Sequence, residues 1–197
     1  MIPEQAEIVT TAVENILDAF GVEWRKSRQM RDTPSRVARM YAEFFRNVWK
    51  DESELDKLIT KFPNDENYDE MVFLGPINVK SLCSHHLLPF FGSAYVAYIP
   101  GKEVIGISKL VRIVRWFAER PQVQEDLTCQ IAEYLGKQLT PKGVAVYISA
   151  THTCMTSRGV RESEDVRMKT SKLSGVFFEK DAARSEFFAM VNQRGRK

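Results

Sequence analysis

Two clusters that pair cysteine with histidine stand far apart in this chain, and any fold that uses both must bring them together. One is Cys83-Ser84-His85-His86 and the other is His152-Thr153-Cys154. Between them they hold all three histidines, leaving Cys129 as the one cysteine elsewhere. Cysteine and histidine are the preferred side-chain ligands of zinc. Cys154 follows His86 by 68 positions, so a shared site is made by the fold and not by a local loop. A zinc finger needs a second tight ligand pair at its own spacing, and His152 is too close to Cys154 to serve as one. Cys83, His86 and Cys154 as three ligands leave a fourth position for water, the arrangement of catalytic sites. His85 and His152 then stand beside it for proton transfer. The competing reading is packed cysteines and surface histidines. The placement of every histidine beside a cysteine argues against it. Cys129, between Leu127 and Ile131 in a helical pattern, reads as a small packed hydrophobe.

The length of 197 residues suits one domain of ordinary size, or one domain with a small helical appendage. We place the appendage at 1–66 and the main domain at 67–197. Apolar residues at 44% and charged residues at 27% fit a soluble globular protein. A net charge of +2 gives no basis for nucleic-acid or membrane partners. No apolar run reaches the roughly 20 residues of a membrane span. The start Met1-Ile2-Pro3-Glu4-Gln5-Ala6-Glu7 lacks the pattern of a signal peptide. Three cysteines do not make a disulfide framework, so the expected setting is reducing and cytoplasmic.

Ile8, Val9, Ala12, Val13, Ile16, Leu17 and Phe20 recur at helical spacing, ended by Gly21. Thr33-Pro34 opens a second helix, with Thr33 as its cap. Residues 50–69 are polar and acidic and read as a connection. Strands are expected at 71–74 and 77–81, with Gly75-Pro76 as a turn between them, then at 92–99 and 104–107. Ser108 is expected to cap a helix faced by Leu110, Ile113, Val114 and Phe117. A second helix runs from 123 to about 139. Val144, Val146 and Ile148 alternate as a strand does, another strand lies within 172–178, and a short helix follows from 181. The class is α+β with an antiparallel sheet.

Lys109 and Arg112 are three apart near a helix start, Arg158 follows Cys154 by four, and Arg36 and Arg39 repeat the first spacing. Helix N-termini with fixed cations favour polyphosphate. Each pair alone reads better as a solvated basic face, a reading weakened only because Lys109, Arg112 and Arg158 lie near residues already implicated. No Walker-type loop is present. Glu125, after Gln124, opens a helix, where a carboxylate can accept two hydrogen bonds from the edge of guanine. It also suits the helix dipole there, and both readings stand on spacing alone.

Five motifs in order resemble the GTP cyclohydrolase I family. They are Asp32-Thr33-Pro34-Ser35-Arg36-Val37-Ala38, Cys83-Ser84-His85-His86-Leu87-Leu88-Pro89-Phe90, Gly106-Ile107-Ser108-Lys109, Arg120-Pro121-Gln122-Val123-Gln124-Glu125, and His152-Thr153-Cys154 through Arg158-Gly159. The resemblance implies the tunnelling fold and a homodecamer with active sites between subunits. It implies hydrolysis of GTP to 7,8-dihydroneopterin triphosphate and formate, a step towards pterins and tetrahydrofolate. It assigns Zn2+ to Cys83, His86 and Cys154, and catalysis to His85, His152 and Ser108. Gln124 and Glu125 match the guanine-recognition pair, and Lys109, Arg112 and Arg158 the triphosphate contacts. Arg36 and Arg39 match basic residues from a neighbouring subunit. One position departs: the family usually has Glu where this chain has Ser84, which removes a charge beside the site and keeps a hydrogen-bonding group.

Overall fold

The computed structural model describes residues 3–193. Met1 and Ile2, which begin the stretch weighed above as a signal peptide, lie outside the described residues. The chain forms two compact units, Met1–Trp49 and Lys50–Lys197. The first packs α1 (Pro3–Ala19) against α2 (Thr33–Phe44). Gly21, at φ +66°, takes the left-handed conformation that stops α1, as its position in the sequence predicts. Asp18 lies in the last turn of the same helix. Its carboxylate accepts from the Trp24 indole at 2.8 Å and from the Arg25 guanidinium at 2.7 Å. Arg25 also lies over the Trp24 ring, 4.2 Å from its centre. The cap of α2 is Asp32, one residue before the expected Thr33.

The boundary at Trp49 falls ahead of the expected 66/67. Residues 50–69 are more than a connection: they hold α3 (Glu52–Asp56) and β1 (Lys61–Pro63). Asp51 caps α3 by accepting from the Ser53 amide. Leu55 is fully buried in the main core, a burial worth roughly 1.5–3 kcal/mol. Its neighbour Asp56 accepts from the Tyr134 hydroxyl at 2.6 Å.

Next come β2 (Val72–Cys83), β3 (Pro89–Ile99) and β4 (Glu103–Ile105), the last paired with β1. β2 is one strand where the sequence suggested two. Gly75-Pro76 makes a bulge between Leu74 and Ile77 rather than a turn. Proline has no amide to give a ladder, so a bulge accommodates it without losing the strand. Then follow α4 (Ile107–Ala118), β5 (Pro121–Gln122), α5 (Gln124–Leu139), β6 (Gly143–His152), α6 (Thr153–Thr156), β7 (Met168–Gly175), α7 (Val176–Glu179) and α8 (Asp181–Asn192).

The main sheet has the order β5-β2-β3-β6-β7. It is antiparallel except for two residues of β5, which run parallel to β2. Alternation divides its side chains between two faces. Val96, Tyr98, Val146 and Ile148 join Leu110, Phe117, Leu127 and Ile131 of α4 and α5 in the larger core. Ala97, Ile99 and Ala145 face the other way, onto Phe177 and Phe187 of α7 and α8. The α+β class and the helix pair expected from the sequence are both present.

Candidate active site at one end of the sheet

Both cysteine clusters fall where strands end, and strand order puts those ends together. Cys83 is the last residue of β2, and His152 the last of β6. β3 lies between them, with Phe90 paired to His152. After Cys83 the chain turns tightly. The Cys83 amide donates to Leu88 O at 2.8 Å and the Leu87 amide to Cys83 O at 2.9 Å. This turn places His85 and His86 beside the thiol, each with Nδ1 at 3.9 Å from Cys83 Sγ. On the other side, Thr153 Oγ1 donates to Pro89 O at 2.6 Å and holds the start of α6 against β3. The result is a Cys83–Cys154 sulfur separation of 3.9 Å.

The third member of this group is His152. One ligand atom from each of Cys83, His152 and Cys154 lies within 4.8 Å of the others. His86 is exposed beside Cys83, and Arg158 Nη1 stands 3.5 Å from its Nε2. The donor set fits a zinc-type cation. Two zinc–sulfur bonds of about 2.3 Å in a tetrahedron set the sulfurs about 3.8 Å apart. Burial, and then the neighbouring Cys83 thiol, push the Cys154 thiol upward, while Arg158 pulls it down. A cation held between the two sulfurs would offset what opposes ionisation of the Cys154 thiol.

His152 is the most enclosed of the three histidines. Its ring stacks on Phe90, with centres 4.5 Å apart and planes 10° from parallel. Its Nε2 lies 3.0 Å from Gln124 Oε1. Burial lowers its basicity, and the charge of Glu125 acts against that shift. β5 is what delivers these partners. Gln122 pairs with Cys83, the Ser84 amide donates to Gln122 O, and α5 begins two residues later. Gln124 is therefore buried against the sheet, while Glu125 is exposed in the first turn.

Ser108 does not cap α4. The helix begins at Ile107 with Gly106 as cap, because the Gly106 carbonyl takes the Lys109 amide at 2.8 Å. Ser108 and Arg112 are exposed on this helix and Lys109 is half-buried. Arg36 and Arg39 are exposed on α2 in the first unit, where Arg36 lies 3.5 Å from Asp32. Reading the sequence alone missed three contributors. Phe90 and the threonines Thr128 and Thr170 carry no chemistry of their own, so no residue-type signal marks them.

Residues 9–192 match the family model described as GTP cyclohydrolase I. This chain belongs to the GTP cyclohydrolase I family. It is 49% identical over 184 residues to a GTP cyclohydrolase 1 of Sulfurihydrogenibium, covering 93% of this chain and 94% of the relative. A Carboxydothermus hydrogenoformans GTP cyclohydrolase 1 is 45% identical, with 95% of each chain covered. One from Aquifex aeolicus is 47% identical, with 94% of this chain and 96% of the relative covered. Among solved structures, the chain is similar to an archaeosine synthase QueF-Like in the apo form at 20% identity and a TM-score of 0.42. That likeness covers 53% of this chain and 93% of the other. As a GTP cyclohydrolase I family member the chain is an enzyme of the hydrolase class. Among the described residues no helix is long and apolar enough to cross a membrane.

Proposed function

We propose that this enzyme opens the imidazole ring of GTP by hydrolysis, releasing formate and 7,8-dihydroneopterin triphosphate, with Zn2+ held by Cys83, His86 and Cys154. The observation that carries the reading is the meeting of both thiols with His152 beside them, at the point where α5 presents Glu125. Zinc, when bound, supplies Lewis acidity and water acidic enough to ionise near neutral pH.

The chain's own residues do the rest. His152 moves a proton at nitrogen 7 of guanine, which makes carbon 8 electrophilic. Its burial favours the neutral ring, so it releases that proton readily once charged. His85, exposed on the turn after Cys83, carries protons as the ribose opens. Ser108, in the first turn of α4, orients the sugar. Glu125 accepts from the ring NH and amino group of guanine, which adenine does not offer together. Lys109, Arg112 and Arg158 hold the triphosphate, which does not react; their role is positioning. Arg36 and Arg39 reach a neighbouring subunit's site in a homodecamer. Exposed Leu87, Met155 and Val160 beside the cysteine clusters support a site covered by another copy. Free Cys83, Cys129 and Cys154 support a reducing, cytoplasmic setting.

A second reading makes His152 the third ligand in place of His86, and the convergence of its ring with both sulfurs favours it. One preparation tests the function. Metal content, formate release from GTP and fluorescence after oxidation are measured together. Stoichiometric zinc with formate and a fluorescent pterin is the expected result; zinc-loaded protein that releases no formate overturns the proposal.

A further inference from the structure

The side chain of Gln124 is fully buried, and both ends of its amide are already engaged. Nε2 lies 3.2 Å from Ile148 O, 3.1 Å from Met168 O and 3.0 Å from Thr170 Oγ1. The first two partners are backbone carbonyls, which only accept. Turned the other way, the amide would set its own oxygen against two carbonyl oxygens. The two threonines fix the same polarity independently. Thr128 Oγ1 donates to Gln124 O at 2.8 Å, so its single hydrogen is spent. Thr170 must then donate to Thr128 across their 2.6 Å contact, which leaves Thr170 Oγ1 as acceptor for the Gln124 amide.

Gln124 Oε1 therefore faces His152 Nε2, at 3.0 Å. An amide oxygen cannot donate, so the hydrogen between them belongs to His152 Nε2. The Phe90 stack fixes the plane of the ring, and the Gln124 contact fixes its rotation within that plane.

We infer that Gln124 is a positioning residue that holds His152 in its Nε2–H form, leaving Nδ1 as the one ring atom able to bind a metal or exchange a proton with substrate. This rests on the reading of the site given above. It holds whether His152 carries the proton or ligates the metal, since each role needs the lone pair that only Nδ1 retains. It also removes the Gln124 side chain from guanine recognition and leaves that task to Glu125.

The test is nitrogen-15 NMR of the full zinc-loaded enzyme with labelled histidine, the His152 signals being assigned by their loss in His152→Asn. The expected spectrum has His152 Nε2 protonated and Nδ1 unprotonated or metal-bound. A protonated Nδ1, or metal on Nε2, overturns the inference. This measurement needs no turnover, so it stands even if GTP is not the substrate. Gln124→Met adds the kinetic arm. It keeps the length of the side chain and removes the hydrogen bonds. The expected result is a loss of kcat of about 10–100-fold, the scale of other outer partners of metal-site histidines. KM for GTP should move less than about threefold, and a second His152 tautomer should appear. A raised KM at unchanged kcat would place Gln124 on the base and overturn the inference. Should Gln124→Met fail to fold, the spectrum of the unaltered enzyme still decides.

Discussion

The sulfur atoms of Cys83 and Cys154 lie 3.9 Å apart, although 71 positions separate the two residues in the chain. Cys83 ends β2 and Cys154 lies in α6, just past the end of β6, with β3 between the two strands. Cys154→Ala should therefore abolish metal binding while leaving the sheet intact. We expect zinc affinity to fall by more than about 100-fold, beyond what loss of an outer partner costs, with formate release lost in parallel. Metal analysis with far-ultraviolet circular dichroism checks both halves. Full zinc occupancy in the variant would remove Cys154 from the site.

His152→Ala separates the two readings of the third ligand. If His86 ligates, the variant keeps stoichiometric metal and loses turnover by about 10²–10⁴-fold, the range of general acid–base contributions. If His152 ligates, metal is lost together with activity. Metal-loaded His152→Ala protein that still releases formate at the original rate would deny His152 any role.

Glu125→Gln tests base recognition. The residue is exposed at the start of α5, so the change should leave folding untouched. One charge-assisted hydrogen bond is worth roughly 1.5–3 kcal/mol, which predicts at least about a tenfold weaker interaction with GTP. Equilibrium binding of GTP to the two proteins measures it, and equal affinity would exclude Glu125.

Gly92 lies in β3 opposite Ala150, and a Cβ there would land on the Ser149 carbonyl oxygen. The obstacle is backbone within the ladder and cannot swing aside. Gly92→Ala should cost at least the roughly 1–3 kcal/mol typical of overpacking. The same ladder pairs Phe90 with His152, so zinc occupancy should fall along with the melting temperature.

Acid should weaken the first unit through Asp18. Hydrogen bonds from Arg25 and then from the Trp24 indole hold its carboxyl below the ordinary carboxylate range. A depressed folded-state pKa gives stability that is complete above the unfolded value and fades as pH falls through the folded one. The urea midpoint of the unaltered protein should thus exceed that of Asp18→Asn near neutral pH. The gap should close as pH falls below the ordinary carboxylate range. A gap that is constant down to strong acid would show that the charge of Asp18 is not what matters.

Much of this architecture was legible from residue patterns. Val144, Val146 and Ile148 alternate because one face of β6 is buried under α5, and both helices after Ile107 repeat their apolar residues at the spacing of one covered face. The thiol pair was legible from ligand chemistry alone. What escaped has physical causes. Gly75-Pro76 punctuates a turn in most chains, but a bulge hides the same pair inside β2. Leu55 is a lone apolar residue among charges, so nothing periodic marked α3. Gln124 was paired with Glu125 for guanine through the family resemblance, and residue type alone says nothing of its neighbours. Only the backbone carbonyls of Ile148 and Met168, distant in sequence, reveal how its amide is used.

Strand order has one more consequence. Because β3 lies between β2 and β6, the 3.9 Å approach of Cys83 to Cys154 depends on the alignment of all three strands. A strand out of register would therefore part the two sulfurs as well as distort the sheet.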